Sequence, residues 1–494
     1  MFALHFARYS NCISKVRLSL RFSTRFKVNI ALSTLIIAVL CLTLLTSARS
    51  MTLAAGPSIT LSPISGPPTT NVRVKGKGFG ASEGITLDFD TTGVGTTTTD
   101  SSGVFSTKVV VPSSALPGTH TITATGNTSK LSAQTTFLVQ TNWDMYGFNQ
   151  QHTRFNPYEN VLSTTTVSRL VKNWTTTAGN SVTSSAAVVN GVVYFGSADD
   201  KIYAVNASTG AILWTTATFY SIFSSPAVVN GVVYIGSSDA GLYAFNATTG
   251  AKLWVTYTGS GGVGSPPTVV NGVVYFGSED NNLYALNATT GAILWKYATG
   301  RAIESSPAIS KGIVYVTSTD GNVYALKAIT GVLLWKASTQ NGIFSSPAVA
   351  NGIVYVSSID TNLYAFNATT GASLWTVSLG FSSESSPAVA NGVVYVGTYI
   401  QGNVFAFNAL TGTKLWGSTL GGATFSSPTL ANGVVYIGAS DNKLYALNAT
   451  TGAALWTYTT GGQISSTPTV ANGNVYVGSN DKNLYAFHLP EMNQ

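Results

Sequence analysis

From about residue 180 to 490 the chain repeats one pattern of apolar and polar positions. A short apolar run, Ser224-Ser-Pro-Ala-Val-Val229, ends at Asn230-Gly231. A second run, Val232-Val-Tyr-Ile-Gly-Ser237, ends at a turn carrying Asp239. A third, Leu242-Tyr-Ala-Phe-Asn-Ala247, leads through Thr249-Gly250 into a fourth that carries Trp254. Each run is strand length, and Asn-Gly between two apolar runs is a strong hairpin signal because both positions accept positive φ. The pattern predicts four short antiparallel strands per unit.

The units recur with a fixed period. Trp174, Trp214, Trp254, Trp295, Trp335, Trp375, Trp416 and Trp456 follow one another at steps of 40 or 41 residues. Four strands per repeat of that length is the unit of a β-propeller blade. The ends of the array fit together. The last unit, Ser466 to Pro490, has three strands and no tryptophan, whereas Leu170 to Trp174 is a fourth strand with nothing before it. Pairing the two completes an eighth blade and leaves no free sheet edge. The expectation is an all-β chain whose residues 141–490 form an eight-bladed β-propeller closed by that N-terminal strand.

Residues 56–140 follow a different rhythm. Runs such as Asn71-Val-Arg-Val-Lys75 and Gly118-Thr-His-Thr-Ile-Thr-Ala-Thr125 alternate apolar and polar residues, broken by Gly and Pro every 8–12 positions. They predict a small β-sandwich of about seven strands, read as a spacer in preference to a ligand-binding domain. His120 is read as an ordinary strand residue.

Residues 1–50 contain seven Lys/Arg and no acid, and six of those cations precede an apolar run from Val28 to Thr46. This order predicts a signal peptide or N-terminal membrane anchor. The small residues at 46–48 and 54–55 suit cleavage. Cys41 does not read as a lipid-attachment site, because Leu40 precedes it and it sits inside the run. The expectation is an exported protein, extracellular or at the cell surface, held at the membrane only if residues 28–46 are retained.

Composition narrows the partners. Only 9% of residues are charged, against roughly 25% in an average soluble protein. The formal charge of +7 comes from the first fifty residues, and 51–494 carry 18 cations and 18 acids. Nucleic-acid binding needs a clustered basic face, so nucleic acid is excluded as the main partner. Both cysteines, Cys12 and Cys41, also lie in the leader, so the body has no disulfide, no Cys-ligated metal and no haem-attachment motif.

The recurring phrase Ala244-Phe-Asn-Ala-Thr-Thr-Gly-Ala-Lys-Leu-Trp254 resembles the tryptophan-docking motif of the PQQ-like (pyrroloquinoline quinone) propeller superfamily, with Asn where Asp is usual. Asn142-Trp-Asp-Met-Tyr-Gly147 and His152-Thr-Arg154 resemble the entry segment of such propellers. The Gly76-Lys-Gly-Phe-Gly80 region resembles immunoglobulin-like and TIG-type domains of bacterial surface proteins. The propeller resemblance covers residues 141–490. It implies that the eight repeat tryptophans are structural, each packing against the neighbouring blade. The superfamily includes quinoprotein dehydrogenases and the lipoprotein of outer-membrane protein assembly. A dehydrogenase of this kind would hold PQQ and Ca²⁺ with acidic and amide groups, an Asp base and an arginine. In its alcohol-oxidising branch a vicinal disulfide flanks the quinone, and this body has no cysteine to make one.

Blade geometry places the residue before each Ser-Ser-Pro at the channel mouth: Thr183, Phe223, Gly264, Glu304, Phe344, Glu384, Phe425 and Ser465. Glu304 and Glu384, with Arg301 near the first, are candidates for a cation or polar ligand; solvated loop carboxylates are the preferred reading. Phe223, Phe344 and Phe425 are read as plugging the mouth ahead of stacking on a ligand. Asp199, Asp239, Asp280, Asp320, Asp360, Asp441 and Asp481, with Gln401 breaking the series, are read as turn residues bonding the N–H two positions on. No catalytic set and no metal motif is assigned, and His152 and His488 lack a partner at a useful spacing. The Asn-x-Ser/Thr triplets, such as those at Asn206 and Asn246, fall inside the docking phrase and are explained by repetition. The expected role is a non-catalytic, monomeric binding or scaffolding module at the cell envelope, with a protein or glycan partner. The alternatives are a PQQ- and calcium-dependent dehydrogenase oxidising an alcohol or sugar, and a carbohydrate- or cell-binding adhesin.

Overall fold

A computed structural model describes residues 56–490. The segment expected to direct export, with Cys41, lies outside the described residues, and among the described residues no helix is long and apolar enough to cross a membrane.

Residues 58–139 form two facing sheets. One has three strands (Ser58–Ser62, Asn71–Lys77, Phe105–Val110) and the other five (Ser65–Gly66, Ser132–Val139, Gly118–Gly126, Gly84–Phe89, Thr92–Thr98). The alternation puts Val72, Val74, Ile85, Leu87, Ile122, Ala124 and Phe137 in a common core.

From Val171 onward every strand belongs to a repeated sheet. One sheet runs Ala187–Val189, Val192–Gly196, Lys201–Asn206 and Ile212–Ala217 from the inside outward. Asn190 and Gly191 turn the first hairpin with φ of 51° and 76°, the left-handed pair a two-residue turn requires. Seven further sheets of this kind follow among the described residues. In one of them, outermost strand Val171–Thr177 pairs antiparallel with Asn483–His488, so the start of the array completes its last sheet. Neighbouring innermost strands touch in order, and Ala187–Val189 also touches Thr469–Ala471 at the other end of the array.

A bulge recurs at one place in each sheet. Ala204 pairs with Trp214 but Val205 with Ile212, leaving Leu213 unpaired. The extra residue re-aims its neighbour, and Trp214 reaches the next blade, where its Nε1 donates to the Ala247 carbonyl at 3.0 Å. Trp174, Trp254, Trp295, Trp335, Trp375 and Trp416 donate in the same way to Ala207, Ala288, Ala328, Ala368, Ala409 and Ala449. The glycine of each docking turn makes room for the ring: a Cβ on Gly210 would lie 2.6 Å from Cε3 of Trp174.

Candidate functional site

The interior of the ring is built from two sets of residues. The first is the second hydroxyl of each Ser-Ser pair. The Ser185 N–H donates to Ser225 Oγ, Ser306 to Ser346, Ser346 to Ser386 and Ser386 to Ser427, each at 2.9 Å. Ser427 donates to Thr467 Oγ1 at 3.3 Å and Thr467 back to Ser185 Oγ at 2.9 Å. Pro266 interrupts the circle, and its carbonyl accepts the Ser306 hydroxyl instead.

The second set is the segment Trp143–Asn156, which lines the inner edges of the innermost strands. Trp143 pairs with Val188. Carbonyls of Asp144, Gln150, Gln151, Thr153 and Arg154 accept the N–H of Val228, Ile309, Val349, Val389 and Leu430 in turn. Those N–H groups belong to strand edges that would otherwise be unpaired. The segment takes left-handed φ at Phe148, His152 and Arg154 (74°, 56° and 52°), a conformation that costs energy for such residues and is held by the ring around it.

Three of its side chains fill the axis. His152 Nε2 lies 3.0 Å from Thr268 Oγ1. The Tyr146 hydroxyl lies 3.4 and 3.3 Å from Ser386 and Ser427 Oγ. Arg154, fully buried, donates from Nη1 to the carbonyls of His152 and Pro387 and holds its Cζ 4.7 Å from the centre of the Tyr146 ring. Its Nε and Nη2, and His152 Nδ1, make no hydrogen bond of good geometry among the described residues. Burial, reinforced by the Arg154 charge, pushes His152 well below the usual imidazole range. Burial drives Tyr146 up, but the Arg154 charge and the two serines outweigh it and bring the phenol down to about 8. In the sequence this stretch is marked only by its resemblance to a propeller entry segment. Its signal was a Tyr, a His and an Arg concentrated in the one non-repeating segment of a chain poor in charge.

The predicted mouth residues sit in the loops just before the hydroxyl circle. Glu304 is exposed and Glu384 half-buried. Partial desolvation in the loops raises both carboxyls, although the Glu304 side chain still meets solvent, and for Glu304 the charges of Glu279 and Glu384 add to it. Glu279, which lies outside the register of residues preceding Ser-Ser-Pro, accepts the Gly262 N–H at 3.0 Å. Arg301 is exposed and makes no ion pair among the described residues. Phe223 is 52% exposed, Phe344 half-buried, and Phe425 packs edge-on against Tyr399 with centroids 4.6 Å apart. No two of the three phenylalanines stack on each other among the described residues. Thr183, Gly264 and Ser465 are half-buried. No group of three or more His, Cys, Asp or Glu side chains among the described residues is arranged to hold a metal.

The turn aspartates have a local use. Asp360 Oδ1 accepts the Asn362 N–H two positions on at 3.0 Å, and Oδ2 accepts the Tyr364 hydroxyl and the Gln340 N–H. Asp199, Asp239, Asp280, Asp320, Asp441 and Asp481 accept the corresponding N–H and tyrosine hydroxyl in their own blades.

A ring of four-stranded antiparallel sheets with tryptophans docked blade to blade defines a repeat β-propeller, here preceded by a β-sandwich. The chain belongs to the PQQ-like repeat family whose model is described as outer membrane protein assembly factor BamB, matched over residues 164–302, 279–424 and 400–489. Residues 55–139 match a macroglobulin-like domain. The fold is similar to that of BamB from Moraxella catarrhalis (24% identity, TM-score 0.57, covering 66% of this chain and 99% of that one). It is also similar to a europium-containing methanol dehydrogenase (15%, 0.63, 70% and 98%). A quinohemoprotein alcohol dehydrogenase from Comamonas testosteroni matches as well (15%, 0.63, 72% and 82%). No curated protein matches the chain.

Proposed function

We propose that this chain is an exported, non-catalytic, eight-bladed propeller that acts as a binding or scaffolding module at the cell envelope, with its sandwich domain as a spacer. The observation that carries the reading is the filled axis. His152 and Arg154 from the chain's own entry segment are fully buried inside the ring, with Tyr146 half-buried beside them against the hydroxyls of Ser386 and Ser427. Residues that differ between blades therefore meet a partner from the faces of the ring. Membership of the BamB-described family supports a protein partner at the envelope, and in this reading residues 28–46 are the leader or anchor that brings the ring there.

The dehydrogenase fold neighbours, with Glu304, Glu384 and Arg301 at the mouth, support a second reading in which PQQ and Ca²⁺ bind there. Calorimetric titration of the full chain with PQQ, with and without Ca²⁺, separates the two. No heat at millimolar PQQ is expected. Micromolar Ca²⁺-dependent binding that Glu304→Gln and Glu384→Gln weaken would overturn the binding-module reading and call for dye-linked alcohol and sugar oxidation assays.

A further inference from the structure

Where the entry segment crosses the first two blades after the sandwich, it borders a groove of about 570 Å³ on the Asn-Gly hairpin side of the ring. Asp144 lines it, with the side chains of Asn142, Asn190 and Asn230 and the apolar surfaces of Leu213 and Trp214. The Asp144 carboxylate accepts no hydrogen bond from any other described residue and lies in no ion pair there. Burial raises it to about 6. A carboxylate that is desolvated, unpaired and still open to a groove is costly to keep, and such groups concentrate where a ligand completes them. Asn230 likewise has no hydrogen bond from its side chain among the described residues, whereas Asn142 accepts the Asn190 N–H at 3.1 Å.

The lining narrows the ligand class. An anion is excluded, because the groove offers a carboxylate and no Lys, Arg or His. A hard divalent cation takes six or more oxygens, most of them charged or carbonyl, and the groove contains a single acid. A peptide strand would need an unpaired backbone edge, but the N–H groups of Val188 and Val228 are already bonded to the entry segment. What remains is a ligand that donates several O–H groups to one carboxylate, accepts from amides, and lays C–H surface on Leu213 and the indole edge of Trp214. We propose that this groove is a carbohydrate subsite, in which Asp144 accepts vicinal hydroxyls and Asn230 orients the sugar. The proposal rests on the binding-module reading and names its ligand class.

The test uses the full chain on a glycan microarray, followed by saturation-transfer NMR with the free mono- and disaccharides that score, using Asp144→Ala and Asn230→Asp as variants. Asn230→Asp keeps a residue that tolerates the hairpin's left-handed φ of 51°. The expected result is sugar binding that Asp144→Ala weakens at least about tenfold and Asn230→Asp about three- to tenfold, with unfolding midpoints little changed. A silent array overturns the site. So does sugar binding indifferent to both substitutions, or Asp144-dependent uptake of Ca²⁺ alone. A silent array together with no PQQ binding removes this site and leaves the binding-module reading standing; Ca²⁺-dependent PQQ binding removes that reading and leaves the groove to its own result.

Discussion

The indole Nε1 of Trp456 donates to the carbonyl of Leu170 at 3.1 Å, across 286 positions of sequence. In the other seven junctions the acceptor is the alanine of a docking turn. The last sheet has no such turn, because its two outer strands come from opposite ends of the array, and Leu170 supplies the carbonyl instead.

The substitution is incomplete, and one prediction comes from what it leaves out. At those seven junctions a second-strand tyrosine shares the alanine carbonyl with the tryptophan, as Tyr355 does with Ala409 at 3.1 Å and, more loosely, Tyr476 with Ala207 at 3.5 Å. Tyr436, at the junction of Trp456, is buried and its hydroxyl has no partner among the described residues. A made hydrogen bond contributes about 1 kcal/mol, whereas a buried hydroxyl without one costs about 1–3 kcal/mol. Tyr355→Phe should therefore destabilise the chain by about 1 kcal/mol, and Tyr436→Phe should be neutral or stabilising. Denaturant titration of the pair reads the difference; equal losses would show that Tyr436 has an acceptor.

Glycines in two kinds of turn should respond unequally to a methyl group. Gly191 (φ 76°) has open space where a Cβ would go, whereas Gly210 (φ 70°) has the Trp174 ring at 2.6 Å. Gly191→Ala pays only the left-handed strain, about 1 kcal/mol. Gly210→Ala also displaces a docked indole, and the sum should reach about 3 kcal/mol. A blue or red shift of tryptophan emission should accompany the second substitution and not the first.

The contrast between these glycines marks what the sequence made legible. The Asn-Gly and Thr-Gly signals, the tryptophan period and the alternation are local, so strands, turns and the pairing of the two chain ends could be read from spacing alone. Asp360 shows the same for the turn acids, two of whose partners lie two and four positions away, while the third, the Gln340 N–H, lies twenty positions back. Tyr146, His152 and Arg154 escaped because their partners, such as Thr268, Pro387 and Ser427, lie more than a hundred residues away and no period points to them. Glu279 escaped for a smaller reason: it belongs to the turn between second and third strands, so a register built on the residue before Ser-Ser-Pro passes over it. Asp144 was quoted for its resemblance, but its groove exists only where a non-repeating segment crosses two repeats.

The channel-mouth acids should make the ring sensitive to charge. Burial and the charges of Glu279 and Glu384 raise the Glu304 carboxyl in the folded state, so folding favours its protonated form. That contribution is fully present below the unfolded value near 4.5 and is lost as pH rises through the folded value. Glu304→Gln should therefore raise the unfolding midpoint at pH 7 and make little difference below pH 4. The gain should shrink with added salt, since the Debye length is about 10 Å at 0.1 M. Because Glu384 contributes to the field on Glu304, the double variant should gain less than the two single variants combined.

His152 should show the opposite dependence. Burial and the neighbouring Arg154 charge keep its imidazole neutral well below its ordinary value, so the unfolded chain takes up a proton that the folded chain refuses. The stability this contributes is fully present above about pH 6.5, the ordinary value, and is lost as pH falls toward the folded value, by at most about 1.4 kcal/mol per pH unit. Asp144 and Glu304, whose carboxyls are raised, act in the reverse sense at mildly acid pH, so the net profile of the wild-type chain is a poor readout. The difference between the wild type and His152→Asn isolates the imidazole, and Asn tolerates the left-handed φ of 56° at that position. His152→Asn should be less stable at pH 7.5, where the bond to Thr268 is lost, and the gap should narrow steadily on going from pH 6.5 to 5. A gap that stays constant over that range would mean that His152 takes up its proton inside the ring, and that the unpaired Nδ1 finds an acceptor there beside Arg154.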